Sequence, residues 1–351
     1  MGLLRLLLAL SVVSAHIIEI GNPFFYLVGG TVAVKTFYII SGFYMAMIIN
    51  NYKNNISFFK SRYLRLFPVY FICVMIAFYL GYGETAQNQK LFNNDQVPLT
   101  THLFLAFTNI FIFFQDLVMF ISVKGGEFFF TSDFKSSNPP LHHFLFVPQG
   151  WTLGLELSFY MLAPLMIKKK NIKLIILLIL LSLTLRLLLI FFGYKGDPWT
   201  YRFFPSELAL FLLGSLSYHI FSDLNIRMSK IKIYLIYILI IIFTFGYSFI
   251  GLPGRSIIYF SLVASSLWFV FQETKNNKID KFLGELSYPV YCSHLFINSY
   301  IFNKINFFKN NDLIFFTPFV KIFIIIIISA IIYFLIQIPV DKYRKVYKKL
   351  V

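Results

Sequence analysis

Long apolar runs alternate with short polar connectors along the whole chain. A helix that crosses a membrane needs about 20 mostly apolar residues, and many runs approach that length. They are residues 3–18, 31–49, 66–82, 151–167, 172–192, 203–221, 233–250, 256–271, 283–302 and 313–338. The pattern predicts an all-α integral membrane protein of about ten transmembrane helices, forming a single domain over residues 1–351.

One further apolar run, residues 103–121, is ambiguous, and the basic residues decide its interpretation. Basic clusters lie at 53–65, 168–173, 227–232, 275–281 and 342–349. Positively charged connectors stay on the cytoplasmic side, and with Arg5 cytoplasmic all of these clusters do so only if 103–121 does not cross. We therefore expect both termini to be cytoplasmic and 103–121 to be interfacial or re-entrant. Residues 83–150 then form one long outer-side excursion.

Composition and charge agree with this class. The chain is 58% apolar and 13% charged, whereas soluble domains have about 25% charged residues. The net charge of +16 lies in short clusters between apolar runs, which favours membrane topology over nucleic-acid binding. Arg5, the apolar run 6–13 and Ala15 also resemble a signal peptide cleaved before His16, but we expect an uncleaved first span.

Ionisable groups inside apolar helices are costly, so each is a functional candidate. Arg5 and His16 are eleven residues apart, which returns them to one helix face about 16 Å apart along the axis. Taken alone, the pair is more simply a topology-setting arginine and a satisfied interior histidine. Ser41-Gly42 interrupts an aromatic span, either for close helix packing or to open the backbone for a ligand.

Two further groups could bind or react. Arg62 and Arg65 lie one turn apart at a helix entrance and suit phosphate oxygens, although lipid headgroups explain them equally well. Glu156 lies within a span, with Tyr160 one turn further on, and an unneeded buried carboxylate would be costly. A late polar stripe and a weaker pair complete the set: Ser287, Tyr291 and His294, then Arg202 with Glu207.

In this order, these residues resemble the acyltransferase-3 family of membrane O-acyltransferases. The motifs are an Arg-x10-His pair, Phe-x-x-x-Ser-Gly-Phe, Arg-x-x-Arg-x-x-Pro, Trp-x-Leu-x-x-Glu-x-x-Phe-Tyr and Leu-Gly-x-x-Ser-Tyr followed by His. They stand at Arg5 and His16, 37–43, 62–68, 151–160 and 283–294. Lys35 stands where a small or acidic residue is common, and Gln337 where the family often has Glu. The chain is similar to members without an extra soluble hydrolase-like domain.

The resemblance implies transfer of an acyl group, acetyl above all, from acyl-coenzyme A to a sugar hydroxyl of an envelope polysaccharide or lipid-linked glycan. It implies a multi-pass protein of the bacterial cytoplasmic membrane that contacts lipids, with acetyl-coenzyme A as donor and neither metal nor nucleic acid. His16 is implied as the catalytic residue. The expected catalytic group is His16, Arg5 and Glu156; donor contacts are Arg62, Arg65, Ser41 and Tyr288; acceptor contacts are Trp151, Tyr160, Arg202 and His294.

Histidine titrates near neutral pH, which suits a base that takes a proton from a sugar hydroxyl. Two other functions stay open. Polar stripes also line transporters or flippases of lipid-linked sugars, but such proteins often contain paired repeats, and none is evident. A lipid or protein acyltransferase of another membrane family would leave the Arg5 and His16 pair unexplained.

Overall fold

The computed structural model describes residues 1–17, 26–80, 97–124, 127–168, 171–224, 226, 228–299 and 317–347. The predicted span positions 18, 81–82, 300–302 and 313–316 lie outside these residues, as does part of the outer excursion. The helices are α1 Gly2–Ile17, α2 Gly29–Ile48, α3 Asn55–Tyr79, α4 Leu99–Phe111, α5 Trp151–Met166, α6 Ile172–Phe191, α7 Phe204–Asp223, α8 Lys230–Gly246, α9 Arg255–Thr274, α10 Lys278–Ile297, α11 Thr317–Ile332 and α12 Ile338–Arg344.

Six helices among the described residues are long and apolar enough to cross a membrane. They are Gly29–Asn51, Asn55–Tyr79, Ile172–Phe191, Lys230–Phe249, Arg255–Thr274 and Pro318–Tyr347. The count of ten is not confirmed, because α1 and α5 are shorter and α7 and α10 carry more polar residues. Large apolar side chains such as Leu177, Leu180 and Leu187 are exposed on α6, as expected of a surface that faces lipid.

The apolar run at 103–121 is not one helix. Helix α4 has 13 residues and is therefore about 20 Å long, shorter than the roughly 30 Å hydrocarbon core. The chain then turns through Ile112 and Phe114, both at positive φ. It continues into an antiparallel hairpin of β1 Ile121–Lys124 and β2 Glu127–Phe130, in which Ile121 pairs with Phe130. The described part of the excursion thus contains a short helix and a hairpin.

Glycines allow the closest helix contacts. A Cβ added at Gly42 of α2 would lie 1.7 Å from the carbonyl oxygen of Phe211, and one at Gly214 of α7 would lie 1.8 Å from that of Ile39. Ser215 donates a hydrogen bond of 2.9 Å to the Gly42 carbonyl oxygen. Helices that touch through small residues bring their backbones together, so Gly42 has a packing role.

Helix α1 packs on α10 in the same way. A Cβ at Gly2 would lie 1.6 Å from the Asp280 carbonyl oxygen, and one at Gly284 would lie 3.3 Å from a guanidinium nitrogen of Arg5. The Asp280 carboxylate accepts hydrogen bonds from the backbone N–H groups of Gly2 at 2.7 Å and Leu3 at 3.0 Å. This carboxylate therefore satisfies N–H groups that a helix start leaves unpaired. It also fixes the position of α1 along the axis of α10.

The sequence grouping of Arg202 with Glu207 is not what the structure contains. Glu207 is fully buried and forms ion pairs with Arg186 at 2.5 Å and Lys35 at 3.7 Å, whereas Arg202 pairs with Asp197 at 2.6 Å. A buried carboxylate needs charged partners, and two cations from neighbouring helices provide them. Lys35 stands where the family that the chain resembles commonly has a small or acidic residue. Through its ion pair with Glu207 it joins α2 to α7.

We expect Gly42→Ala to destabilise the protein by about 1–3 kcal/mol, because the new methyl group overlaps a backbone carbonyl that can move only with its helix. Thermal unfolding of the purified protein in detergent measures the effect. Gly246→Ala in α8 is the matched control, since a Cβ there meets nothing within 4 Å. Equal melting temperatures for both variants would contradict the close α2–α7 contact.

Asp116 makes stability depend on pH. It follows α4, is 6% exposed, and its Oδ1 lacks a partner in the described structure. Burial raises the pKa of this carboxyl to about 7, while an unfolded aspartate titrates near about 3.9. The folded state therefore binds the proton more tightly, so stability falls as pH rises between these two values.

We expect Asp116→Asn to raise the melting temperature by about 2 °C or more at pH 8 and to change it little at pH 4, where both side chains are neutral. Melting curves at pH 4, 6 and 8 test this. The exposed Asp133→Asn serves as control. A pH-independent difference between wild type and Asp116→Asn would refute the buried titration.

Candidate active site

A cavity of about 500 Å³ lies among α1, α2, α3, α5, α10 and α12. Its charged lining is mostly basic, with six cations and three carboxylates: Arg5, Arg62, Arg65, Lys281, Arg344 and Lys345 against Glu156, Glu285 and Asp341. The cations gather at the end formed by the starts of α1 and α10. Aliphatic, aromatic and hydroxyl side chains line the remainder, including Ser41, Tyr288 and Tyr291. The cavity is therefore electrostatically suited to an anionic ligand with an uncharged extension.

Arg65 is paired across the bundle. Its guanidinium donates to Glu285 of α10 at 2.8 Å, and the amide of Gln337 donates to the same carboxylate oxygen at 2.9 Å. In the family that the chain resembles, Glu is common at the position of Gln337. In this chain the contact with Glu285 is therefore made by an amide donor and not by a second acid. Arg65 and Gln337 thus share one carboxylate oxygen of Glu285.

Arg62 is buried without such a partner. Its side chain is 5% exposed and donates to the Tyr52 hydroxyl at 2.5 Å and, more weakly, to the Ser61 hydroxyl at 3.4 Å. Its Nε has no hydrogen-bond partner, and among the described residues no carboxylate forms an ion pair with it. A buried, uncompensated charge is costly, so this guanidinium is positioned for an anion.

The middle of the cavity holds a carboxylate with two hydroxyl donors. Ser41 donates to Glu156 Oε1 at 2.6 Å, and Tyr160 donates to the same oxygen. The hydroxyl oxygens of Tyr160 and Ser41 are 3.4 Å apart. Tyr288 donates to the Leu66 carbonyl oxygen at 2.5 Å, which ties α10 to α3. Ser41 therefore faces the site while its neighbour Gly42 packs against α7.

Tyr291 closes the opposite end of the cavity. Its hydroxyl lies 2.7 Å from that of Thr152 and donates to the Gln149 carbonyl oxygen at 2.9 Å. In return, Gln149 donates to the backbone carbonyl oxygens of Tyr291 at 3.2 Å and Cys292 at 2.8 Å. These reciprocal bonds hold the end of α10 against the start of α5 and form a partition.

His16 lies beyond that partition. It is exposed in the last turn of α1 and does not line the cavity. Its ring centroid is 5.4 Å from that of His294, which is fully buried and has Nδ1 2.8 Å from the Tyr291 carbonyl oxygen. The Nε2 of His294 has no hydrogen-bond partner in the described structure. Arg5 therefore lines the cavity and His16 does not, although the eleven-residue spacing returns both to one helix face.

The expected acceptor residues fall into two groups. Trp151 and Arg202 meet near the start of α5, where the Arg202 guanidinium lies 4.3 Å from the Trp151 ring centroid and pairs with Asp197 at 2.6 and 3.0 Å. Tyr160, in contrast, lies inside the cavity beside Glu156. Among the described residues, no cluster of three or more His, Cys, Asp and Glu side chains could hold a metal ion.

The apolar helices are those of a multi-pass membrane protein, and a cavity lined by charged, hydroxyl and apolar side chains lies among them. A family model described as an acyltransferase domain matches residues 1–338. The chain therefore belongs to the acyltransferase-3 family, which supports an O-acyltransferase activity. An uncharacterized protein of Aquifex aeolicus (strain VF5) is 26% identical over 203 residues, or 56% of this chain and 89% of the relative. No solved structure matches the chain.

Sequence reasoning missed several residues of the cavity. Tyr52, Ser61 and Arg344 line it or bond to its arginines, yet none stands in a recognisable motif. Arg344 belongs to the last basic cluster, which on sequence alone indicates cytoplasmic topology. Only the packing of α12 against α3 shows that this arginine turns inward, with 6% of it exposed.

We expect Arg65→Gln and Glu285→Gln each to destabilise the protein by about 2–4 kcal/mol, because each leaves a partly buried charge without its partner. The double variant is expected to be more stable than the sum of the two losses predicts, since neither charge remains. A double-mutant cycle by thermal unfolding measures this coupling. Strictly additive losses would show that the pair does not interact.

Proposed function

We propose that this protein transfers an acetyl group from acetyl-coenzyme A to a sugar hydroxyl of a cell-envelope polysaccharide or lipid-linked glycan, in the bacterial cytoplasmic membrane. Family membership supports acyl transfer. The observation that carries the donor assignment is Arg62, a buried guanidinium with no carboxylate partner in the described cavity. A phosphate-bearing donor supplies the missing negative charge.

The basic end of the cavity suits the phosphates of coenzyme A. Arginine forms paired, charge-assisted hydrogen bonds to phosphate oxygens, and Arg62, Arg65 and Arg5 all line this end. We expect it to face the cytoplasm, where coenzyme A is present. The pantetheine arm then extends past Ser41 and Tyr288 towards Tyr291.

The opposite end suits an acceptor that arrives from outside. Trp151 packs beneath the Arg202–Asp197 pair, and His16 is exposed. Aromatic rings and ion pairs together can contact both the apolar face and the hydroxyls of a sugar. His294, packed against His16, fixes the orientation of the catalytic imidazole in this proposal.

In the proposed reaction, the acceptor oxygen attacks the thioester carbonyl carbon. A C–O bond forms, the C–S bond breaks, and the hydroxyl proton moves to the imidazole of His16 and from there to the departing thiolate. Transient acylation of His16 is the alternative route, with the acyl group then passed to the sugar. Both routes require the thioester to pass the Tyr291–Thr152 contact, because that contact separates the cavity from His16.

We expect His16→Ala to abolish O-acetylation, because His16 is the base that takes the hydroxyl proton in this mechanism. Proton NMR of surface polysaccharide measures O-acetyl content in cells with wild-type protein, His16→Ala or no protein. His102→Ala in α4 is the matched control and is expected to leave acetylation unchanged.

O-acetyl signals that appear with the wild type and with His102→Ala, at equal expression, support the proposal. Full acetylation with His16→Ala would remove His16 from the chemistry. Unchanged acetylation in every strain, with less total surface glycan in the strain without the protein, would favour a transporter of lipid-linked sugar instead.

A further inference from the structure

The C-terminal helix contributes an arginine that lies outside the family match. The matched residues end at 338, where α12 begins. A turn of π-helix, Tyr333–Gln337, precedes it, and α12 packs against α3. This arrangement turns Arg344 towards the cavity instead of towards solvent, so that only 6% of it is exposed.

Arg344 and Arg62 converge on one residue. Arg344 donates from Nε to the Ser61 carbonyl oxygen at 2.7 Å, and Arg62 donates to the Ser61 hydroxyl at 3.4 Å. Both guanidiniums are buried and both line the cavity. Since like charges repel strongly at low dielectric, this pair is unfavourable unless a negative charge lies between or beside it.

The described protein supplies little of that charge. Asp341 pairs with Arg344 and is one-third exposed, while Glu285 is already occupied by Arg65 and Gln337. No carboxylate among the described residues pairs with Arg62. The two arginines therefore hold more positive charge than their surroundings neutralise, in a pocket open to the cavity.

We propose that Arg344 and Arg62 together bind a phosphate group of the ligand held in the cavity, so that the C-terminal helix is part of the binding site. That the ligand is acyl-coenzyme A rests on the proposed function; that it carries phosphate rests on the two arginines. Guanidinium groups from two helices can both donate charge-assisted hydrogen bonds to the oxygens of one phosphate.

The full chain, purified in detergent, is titrated with coenzyme A and separately with inorganic diphosphate. We expect Arg344→Gln to weaken binding of coenzyme A and of diphosphate by about tenfold or more, because a charge-assisted hydrogen bond is lost. Lys342→Gln, the same charge change at an exposed position of the same helix, is expected to bind as wild type does. Arg344→Lys is expected to restore part of the affinity.

Asp341→Asn provides a test in the opposite direction. It removes the acid paired with Arg344, so we expect anion affinity to rise by about threefold. Melting temperatures of all variants establish that they are folded. Because this variant gains affinity, misfolding cannot mimic the expected result.

Equal coenzyme A affinity for wild type, Arg344→Gln and Asp341→Asn would overturn the role of Arg344 and leave the proposed donor standing. Diphosphate binding that depends on Arg344, without coenzyme A binding, would uphold the phosphate site and overturn the proposed donor. Failure of wild type to bind either probe would overturn both.

Discussion

Buried charge is the constraint on which the arrangement of this helix bundle depends. A charged side chain inside an apolar bundle is stable only beside an opposite charge or a set of hydrogen bonds, and for Arg65 and Glu207 the partners come from other helices. Arg65 of α3 reaches Glu285 of α10, and Glu207 of α7 receives Lys35 and Arg186 from α2 and α6. These pairs help to fix which helices are neighbours, and Arg65 and Glu285 also line the cavity.

The glycine contacts act together with the charges. Gly284 has no side chain, and Arg5 occupies the space beside it, so the close approach of α1 and α10 is also what brings Arg5 to the cavity. Ser41 and Gly42 show the same division of labour within two residues. The Ser41 hydroxyl donates to Glu156. Gly42 has no side chain and so leaves room for the backbone of α7. Packing and chemistry are therefore encoded side by side.

Helix positions could be predicted because apolar length is a local property of the chain. Helices α2 and α6 begin or end within two residues of the predicted spans. The pairing of Ser41, Glu156 and Tyr160 was only partly accessible: periodicity places Tyr160 beside Glu156 on one helix face, but α2 meets that face only in the folded bundle. The inward position of Arg344 could not be predicted, because nothing in a basic tail indicates which of its cations turns inward. The role of Ser61 could not be predicted either, because its contact with Arg344 depends on the packing of two helices.

The distance between Arg5 and His16 could be predicted from the sequence. That Arg5 lines the cavity while His16 lies outside it could not. Helical rise gives about 16 Å between them, which describes a single continuous groove equally well. The partition arises from Tyr291, Thr152 and Gln149, which come from two helices and a connector and bond to one another. In the proposed function, this partition would keep water from a thioester on the basic side until the acceptor is present.

Gln337 shows how one substitution can adjust this site. An acid at this position would lie against Glu285, and two carboxylates in contact repel unless one is protonated or a second cation is drawn in. Arg344 lies seven residues further along the chain, about two helical turns away, and its attraction to a new acid would compete with its bond to Ser61. With an amide, Gln337 instead donates to Glu285 and adds no negative charge. Arg62 and Arg344 then keep their excess positive charge, which is the property on which the proposed phosphate site depends.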